Sequence, residues 1–345
     1  MREKICLIGP CGGGAIPMNG ASAKNYQMVN FMRMKSFDLV VIDTERWRRN
    51  PFVLVRLLWI ILFCPQYKLI IATNNMSGYR LLWIMAKLSL HRHIIYWVIG
   101  GSIANWLKEG KVPIAPYKYV TWFIVEGRKM LTTLSELGFK NNVLYVPNFK
   151  AVDFIPKKHI KKGNKIKFVF LSRIIPEKGC ELIFEANVNL LKKCSNFTID
   201  FYGPIDLQYQ KRFNEQLKRF TNVSYKGFLN LNQVENYQVL SLYDVMLFPT
   251  FWDGEGFPGV IIDAFIAGLP VIASDWSLNA DIIEDGKTGL IMEKLTVQSL
   301  EKQMLLCITH PELIQIMSEN SQCMARNYDI HHLLSEELFE KIGLL

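Results

Sequence analysis

Both the fold and a candidate site are indicated by the stretch Asp253-Gly-Glu-Gly-Phe-Pro-Gly-Val-Ile-Ile-Asp-Ala-Phe-Ile-Ala-Gly-Leu-Pro-Val-Ile-Ala-Ser274. Glu255 lies in a loop rich in Gly and Pro, and Asp263 follows on a predicted helix. Gly268-Leu-Pro ends that helix, and Val271 begins a predicted strand. Because the acids are separated by about two helical turns, they project on nearly the same face. We interpret this arrangement as a site for a polyhydroxylated, phosphorylated ligand, since backbone N–H groups at a helix N-terminus favour anionic oxygen atoms.

Short apolar runs alternate with helical patterns outward from this stretch, in both halves of the chain. Continuous apolar strands that alternate with helices indicate parallel sheets covered on both faces. The predicted strands are Ile5–Gly9, Leu39–Asp43, Leu69–Ala72, Ile94–Ile99, Trp122–Val125, Val143–Val146, Lys167–Leu171, Phe197–Tyr202, Val223–Tyr225, Val245–Phe248 and Pro270–Ala273. The expected fold class is therefore α/β, with doubly wound sheets.

The polar and basic residues 150–165 interrupt this alternation and predict a hinge. We expect an N-terminal Rossmann-like domain over residues 1–155, a C-terminal one over 156–326, and an amphipathic helix near the end of the chain. Two such domains joined by a hinge would face one another across a cleft, where ligands of open α/β sheets bind.

The composition excludes several classes of protein. Half of the 345 residues are hydrophobic, so the chain is expected to fold rather than remain disordered. The seven cysteines include no C-x-x-C pair, which favours a reduced, cytoplasmic compartment. The histidines show no zinc-like spacing, and Met1-Arg-Glu-Lys leads directly into a strand-like run. We therefore expect neither a metal site nor a signal peptide.

The most apolar segment, Phe52 to Cys64, is too short to span a bilayer. We favour a buried helix over an element at a membrane surface.

Positive charge is concentrated in the first half. Residues 1–155 carry 20 Lys and Arg against 8 Asp and Glu, whereas the remaining residues carry 20 against 23. The basic aromatic cluster contains Arg46, Arg48, Arg49, Arg56, Trp47, Trp59 and Phe63. Such a cluster fits an anionic bilayer. Nucleic acid is the rival partner, although no nucleic-acid motif is recognised, and a solvated basic surface is the third alternative.

A second candidate element, Ser172-Arg-Ile-Ile-Pro-Glu-Lys-Gly179, follows the first strand of the second domain. Arg173 and Lys178 would lie at the carboxyl edge of the sheet, where they predict a clamp for a diphosphate. The alternative is two unrelated surface charges in a loop.

These motifs together resemble glycosyltransferase family 4, or group 1, of retaining sugar transferases with the GT-B architecture. The resemblance covers about residues 165–295 and also includes Tyr202-Gly-Pro, Gly227, Tyr243-Asp-Val and Asp285-Gly-x-x-Gly289. It implies that the terminal segment, residues 327–345, crosses back onto the N-terminal domain.

The resemblance also implies roles for the site residues. Arg173 and Lys178 would hold the diphosphate of the donor, and Glu255 would contact the transferred sugar. Backbone groups of Gly256, Phe257 and Pro258 would assist Glu255. Asp263 would bind the ribose hydroxyls, although the family usually has Glu at this position. The alternatives are that Glu255 caps the N-terminus of the predicted helix and that Asp263 is an exposed helix charge.

The first domain departs from the family pattern. A histidine usually follows a strand in mid-domain, whereas this chain has Ile99-Gly-Gly-Ser-Ile103. Gly100 and Gly101 would instead offer backbone amides to the sugar. In the Gly-rich loop over residues 9–20, Gly14 or Gly20 would let the backbone approach the phosphate or the acceptor; a tight turn is the alternative.

The expected function is transfer of a sugar from a nucleotide sugar, with UDP favoured, to a lipid-linked glycan precursor bound by the first domain. The resemblance implies a mechanism that needs no metal or other cofactor. We expect a cytoplasmic protein that binds the inner face of the cell membrane peripherally. Two alternatives remain: a non-catalytic subunit that binds sugar nucleotides, and a nucleotide-sugar epimerase of the same fold.

Overall fold

The computed structural model describes residues 3–15, 17, 19–47, 49–156 and 165–345. The chain divides into two compact units. Unit 1 comprises Met1–Ala151 and Asp329–Leu345, and unit 2 comprises Val152–Tyr328. The sequence had predicted domain ends at residues 155 and 326. Arg48 and half of the predicted hinge, residues 157–164, lie outside the described residues.

Unit 1 contains a six-stranded parallel sheet with the strand order β2-β1-β3-β4-β5-β6. The strands are β1 (Lys4–Gly9), β2 (Asp38–Asp43), β3 (Tyr67–Ile71), β4 (Ile94–Trp97), β5 (Trp122–Val125) and β6 (Val143–Tyr145). The helices are α1 (Gly20–Met34), α2 (Phe52–Phe63), α3 (Asn75–Lys87), α4 (Ile103–Lys108) and α5 (Arg128–Glu136), with a 3₁₀ turn over Ala115–Tyr119.

Unit 2 contains a second six-stranded parallel sheet, with the order β12-β11-β10-β7-β8-β9. The strands are β7 (Ile166–Leu171), β8 (Phe197–Tyr202), β9 (Val223–Tyr225), β10 (Val245–Phe248), β11 (Val271–Ser274) and β12 (Gly289–Met292). The helices are α6 (Cys180–Leu191), α7 (Gln210–Leu217), α8 (Asn236–Leu240), α9 (Gly259–Ile266), α10 (Asn279–Ile282), α11 (Val297–Thr309) and α12 (Pro311–Ala325), with 3₁₀ turns over Pro176–Lys178 and Arg326–Tyr328.

Both sheets are covered on two faces, as the apolar strands predict. In β1, Ile5 and Leu7 pack into one core cluster while Cys6 and Ile8 pack into another. Successive side chains of a strand point to opposite faces, so an uninterrupted apolar run serves two cores at once. The α/β prediction is therefore confirmed.

The C-terminal segment differs from the single helix that the sequence predicted. It forms two short helices, α13 (Ile330–Leu333) and α14 (Glu336–Lys341). The side chain of Asp329 accepts a hydrogen bond at the start of the first, and that of Ser335 at the start of the second. Two N-caps so close together divide the segment, because each cap marks a new helix start. The segment packs within unit 1, where the Nε2–H of His93 donates to the carbonyl of Ile342 at 2.7 Å.

The prediction of a buried helix at Phe52–Cys64 is wrong for one face of α2. Only Ile60 and Ile61 of this helix are buried, whereas Phe52, Trp59 and Phe63 are 75%, 60% and 63% exposed. None of the described helices combines the length and apolar character needed to cross a membrane.

Candidate functional site

The strand order of unit 2 reverses at β7. The chain places β8 and β9 on one side of β7 and β10 on the other. Ligands of open α/β sheets bind outside the carboxyl ends of the strands at such a reversal. Lys178 follows β7, and Glu255 follows β10. The reversal therefore brings together two residues that are 77 positions apart in sequence.

A close approach of two segments positions Lys178. Pro176 begins the 3₁₀ turn that carries Lys178, and Gly179 follows with φ at 82°. A Cβ atom on Gly179 would lie 2.2 Å from the carbonyl oxygen of Pro249, which follows β10. Only glycine combines this left-handed conformation with such a contact.

Lys178 and Glu255 form a largely buried ion pair. The Nζ of Lys178 donates to Oε2 of Glu255, which also accepts from the hydroxyl of Thr250 at 3.0 Å. Burial lowers the pKa of Lys178; the charge and hydrogen bond of Glu255 oppose this shift, and the charge of Arg173 adds to it. The site therefore gathers two cations and one carboxylate.

Trp252 organises the two cations. The guanidinium carbon of Arg173 lies 4.6 Å from the centroid of its ring, and Nζ of Lys178 lies 4.7 Å from the same centroid. A cation over an indole face is attracted by the negative charge of that face. A Cβ on Gly254 would lie 2.5 Å from the Trp252 side chain, so glycine leaves room for the indole. No sequence motif singled out Trp252 and Thr250, which directly precede the acidic loop.

The loop that carries Glu255 is anchored by the segment after β11. The hydroxyl of Ser277 donates to the carbonyls of Glu255 at 2.8 Å and Gly256 at 3.3 Å. The indole N–H of Trp276 donates to the carbonyl of Trp252 at 2.9 Å. These bonds fix the backbone on both sides of the carboxylate.

Phe257 and Pro258 connect this loop to α9. Phe257 is buried with its ring centroid 5.6 Å from that of Tyr328, and Pro258 occupies the N-cap position of α9. Since Glu255 does not occupy that position and its carboxylate bonds to Lys178 and Thr250, the alternative of a capping role for Glu255 is wrong.

Asp263 is buried on α9, so the alternative of an exposed helix charge is also wrong. Its Oδ1 accepts from the hydroxyl of Tyr237 at 2.5 Å. Burial and the neighbouring carboxylate raise the pKa of Tyr237 well above its ordinary value, so the phenol keeps its proton and remains a donor. The two acids of the opening stretch therefore have different partners, Lys178 for Glu255 and Tyr237 for Asp263.

The candidate glycines of unit 1 lie at the carboxyl edge of their own sheet. Gly20 is the first residue of α1, while Gly100 and Gly101 lie between β4 and α4. Gly100 has φ at 92°, and a Cβ on Gly100 or Gly20 would contact nothing within 4 Å. Gly100 is therefore required by its backbone conformation rather than by a close contact within the chain.

The Gly-rich loop of unit 1 donates its backbone amides to carboxylates of the same chain. The amides of Cys11 and Gly13 donate to Asp43 at 3.0 and 2.8 Å, and that of Gly12 donates to Glu45 at 2.6 Å. These donors would otherwise suit a phosphate. Across the described ranges, no three His, Cys, Asp or Glu side chains form a group that could hold a metal ion.

The sequence model of the family "Glycosyl transferases group 1" matches residues 151–324. The chain belongs to this family. The match includes Arg173, Lys178, Glu255 and Asp263, so the whole candidate site of unit 2 lies in the region that defines the family.

Curated relatives carry the same assignment. An uncharacterized glycosyltransferase of Haemophilus influenzae is 25% identical over 59% of this chain and 56% of its own length. The UDP-Gal:α-D-GlcNAc-diphosphoundecaprenol α-1,3-galactosyltransferase of Escherichia coli is 27% identical over 46% of this chain and 40% of its own. The chain thus spans about half the length of the curated relatives it matches.

The likeness to solved structures extends along the chain. The Anabaena protein Alr3699/HepE, solved in complex with UDP and glucose, has a TM-score of 0.71 at 16% identity and covers 99% of this chain and 100% of its own. The chain therefore has the GT-B fold that the resemblance implied.

Proposed function

We propose that the chain is a retaining hexosyltransferase that uses a nucleotide sugar, with UDP-sugars favoured, and extends a lipid-linked oligosaccharide or polysaccharide precursor of the cell surface. The observation that carries this proposal is the placement of Arg173 and Lys178 over one indole ring, beside Glu255, where the strand order of unit 2 reverses.

The charges of this site fit the chemistry of sugar transfer. Cleavage of the anomeric C–O bond builds positive charge on the sugar and negative charge on the leaving diphosphate. Arg173 and Lys178 would stabilise the diphosphate, and electrostatic stabilisation of this kind commonly contributes more to catalysis than any other effect. Glu255 would face the sugar, where its carboxylate stabilises the oxocarbenium-like charge.

Asp263 is proposed to bind the ribose hydroxyls, with Tyr237 fixing its carboxylate. The backbone of Gly256, Phe257 and Pro258 would line the sugar side. The acceptor would bind to unit 1, where Gly20, Gly100 and Gly101 would offer backbone groups in place of the histidine that the family usually has.

Two similar proteins support the proposed substrate classes. The Anabaena protein is solved with UDP and glucose, and the E. coli relative is named for UDP-Gal and a diphosphoundecaprenol-linked acceptor. We propose the same classes here, with the chain acting at the inner face of the cell membrane and without a metal ion.

Labelled UDP-, GDP- and ADP-sugars, incubated with the protein and a bacterial lipid extract, test this proposal. We expect label from one UDP-sugar to enter the organic phase. Glu255→Gln should reduce this transfer strongly, whereas Asp253→Asn, a matched change at an exposed acid of the same loop, should leave it unchanged.

Other outcomes would favour the alternatives. Nucleotide binding with neither transfer nor hydrolysis would support a non-catalytic subunit, and an altered free nucleotide sugar would support an epimerase. EDTA should leave the transfer rate unchanged; loss of activity that Mg²⁺ restores would contradict the metal-free mechanism.

A further inference from the structure

The helix α2 is apolar on both of its faces. Val53, Leu57, Ile60 and Ile61 pack against the core of unit 1. The outward side chains are exposed: Phe52, Leu54, Val55, Leu58, Trp59, Leu62 and Phe63. Arg56 is the single charged residue of the helix. Helices that are apolar all round are ordinarily buried, so the outward face of α2 calls for an apolar partner.

The next helix along the chain, α3, also exposes apolar side chains. Both helices cover the same face of the sheet, because Ile60 of α2 and Leu82 of α3 belong to one core cluster. The exposed side of α3 carries Trp83 and Ile84, with Arg80 beside them. We call the outward residues of α2 and α3 the apolar face.

The stretch of sequence that contains both helices carries charges of one sign. Residues 46–108 contain nine Lys and Arg and no Asp or Glu. Arg49, Arg56, Arg80 and Lys87 are exposed. An anionic bilayer supplies what such a surface needs, acyl chains for the aromatic side chains and negative headgroups for the cations.

A second copy of the chain fits this surface less well. In a symmetric dimer the same patch occurs on both subunits, so the cations of one would face those of the other. Like charges brought together at an interface are repulsive. The charge pattern therefore favours lipid over self-association.

The spacing on α2 also fits a helix that lies flat on a membrane. Val55, Trp59 and Phe63 are four residues apart and share one stripe, because residues at i and i+4 lie on the same side of a helix. A helix of twelve residues cannot span a bilayer, but it can lie in the plane of its interface.

We infer that α2 docks in the plane of an anionic phospholipid bilayer, with Val55, Trp59 and Phe63 at the acyl boundary and with Arg56, Arg80 and Lys87 among the headgroups. This inference rests on the membrane location in the proposed function and specifies the surface responsible. It would hold the chain where lipid-linked acceptors are found.

Co-sedimentation of the full chain with sucrose-loaded vesicles tests the inference. We expect binding to vesicles of phosphatidylcholine mixed with phosphatidylglycerol, and much weaker binding to phosphatidylcholine alone. The double variant Trp59→Gln, Phe63→Gln should weaken binding at least about tenfold, since two large apolar side chains would no longer be withdrawn from water by the bilayer. Leu207→Gln is the matched control, because Leu207 is an exposed apolar residue of unit 2.

A second variant separates charge from apolar contact. Arg56→Glu with Arg80→Glu should abolish the preference for anionic vesicles. Equal binding of the parent, the Trp59/Phe63 variant and the Leu207 variant, or absence of vesicle binding, would overturn the inference. A dimer in solution that the Trp59/Phe63 variant converts to monomer would also overturn it, in favour of a second copy.

The vesicle assay contains neither donor nor acceptor, so it is independent of catalysis. Sugar transfer without vesicle binding would refute the membrane surface and leave the transferase function standing. Vesicle binding without sugar transfer from any donor would refute the transferase function and leave the membrane surface standing.

Discussion

Each unit of the molecule contains a buried Lys–Glu pair, and the two pairs differ instructively. Lys24 pairs with Glu126 in unit 1, and Lys178 pairs with Glu255 in unit 2. Both glutamates follow strands, and both lysines lie over aromatic rings, Lys24 being 5.5 Å from the centroid of Trp97. Burial lowers the pKa of each lysine, and the partner glutamate opposes the shift.

The difference lies in what surrounds each pair. The side chains of Lys24 and Glu126 are 2% and 5% exposed and balance one another in charge. In unit 2 the side chains of Lys178 and Glu255 are 6% and 9% exposed, and Arg173 is a second cation beside the pair. A balanced pair leaves no net charge for a ligand, whereas a pair with excess positive charge at a sheet reversal suits an anionic ligand. The comparison therefore predicts a catalytic role in unit 2 and a structural role in unit 1.

The largest expected effect is that of Lys178→Met on activity. We expect kcat/KM to fall by roughly 10²–10³-fold, the usual loss when one stabilising charge is removed from a transition state. Lys192→Met, at an exposed lysine of the same unit, should leave the rate unchanged. Steady-state kinetics with the best donor provides the measurement.

Loss of folding would mimic loss of catalysis, because Lys178→Met leaves Glu255 buried without its cation. The double variant Lys178→Met, Glu255→Gln removes both charges and should recover much of the thermal stability. It should remain inactive. A double variant with nearly parental activity would refute the assignment of both residues to the reaction.

The second prediction concerns stability in unit 1. Lys24→Met alone should lower the free energy of unfolding by about 3–5 kcal/mol, because an uncompensated charge remains buried. Lys24→Met with Glu126→Leu should recover most of this loss, since a buried pair is often replaceable by apolar side chains. Denaturant unfolding of the single and double variants measures both effects.

The activity of the Lys24→Met, Glu126→Leu variant tests whether the role of this pair is structural rather than catalytic. We expect catalysis in the folded Lys24→Met, Glu126→Leu protein to stay within about tenfold of the parent, a difference of ~1.4 kcal/mol in barrier. A fall of about a hundredfold in a well-folded double variant would instead assign the pair to the reaction.

The sequence predicted the strands because uninterrupted apolar runs have few alternatives in a parallel sheet. It also predicted that Arg173, Lys178 and Glu255 belong to one site, since the carboxyl ends of parallel strands meet at one edge. The missed strand β12 is short and begins at Gly289, which weakens the pattern.

Other features depend on tertiary contacts that no local pattern reveals. Periodicity does not indicate what covers a helix, so the sequence favoured burial of α2 over a position at a membrane surface. Trp252 is important only because Arg173 and Lys178 both approach its ring. The loop amides of Gly12 and Gly13 donate hydrogen bonds to Glu45 and Asp43, about thirty residues away in sequence. This pairing follows from the neighbouring positions of β1 and β2.

The smallest expected effect is a fall of kcat/KM on the alkaline side at a lower pH than an ordinary lysine would cause. An ordinary lysine has a pKa of about 10.4, and burial lowers that of Lys178. Lys178 therefore loses its charge at a lower pH than an ordinary lysine, and kcat/KM, which reports the free enzyme, should fall correspondingly early on the alkaline side. The nearby Cys180 should not contribute, since burial raises the pKa of its thiol.

Three further measurements decide whether Lys178 is the group that titrates. The fall in kcat should lie at higher pH than the fall in kcat/KM, because the bound diphosphate favours the charged lysine. Lys178→Arg should remove the alkaline fall from the accessible range, since guanidinium stays protonated. Glu255→Gln should move the pH dependence of UDP affinity to lower pH, because the carboxylate that favours the charged lysine is gone. If the alkaline fall in kcat/KM is unchanged in Lys178→Arg, another group titrates. The excess positive charge that distinguishes unit 2 from unit 1 would then not depend on Lys178.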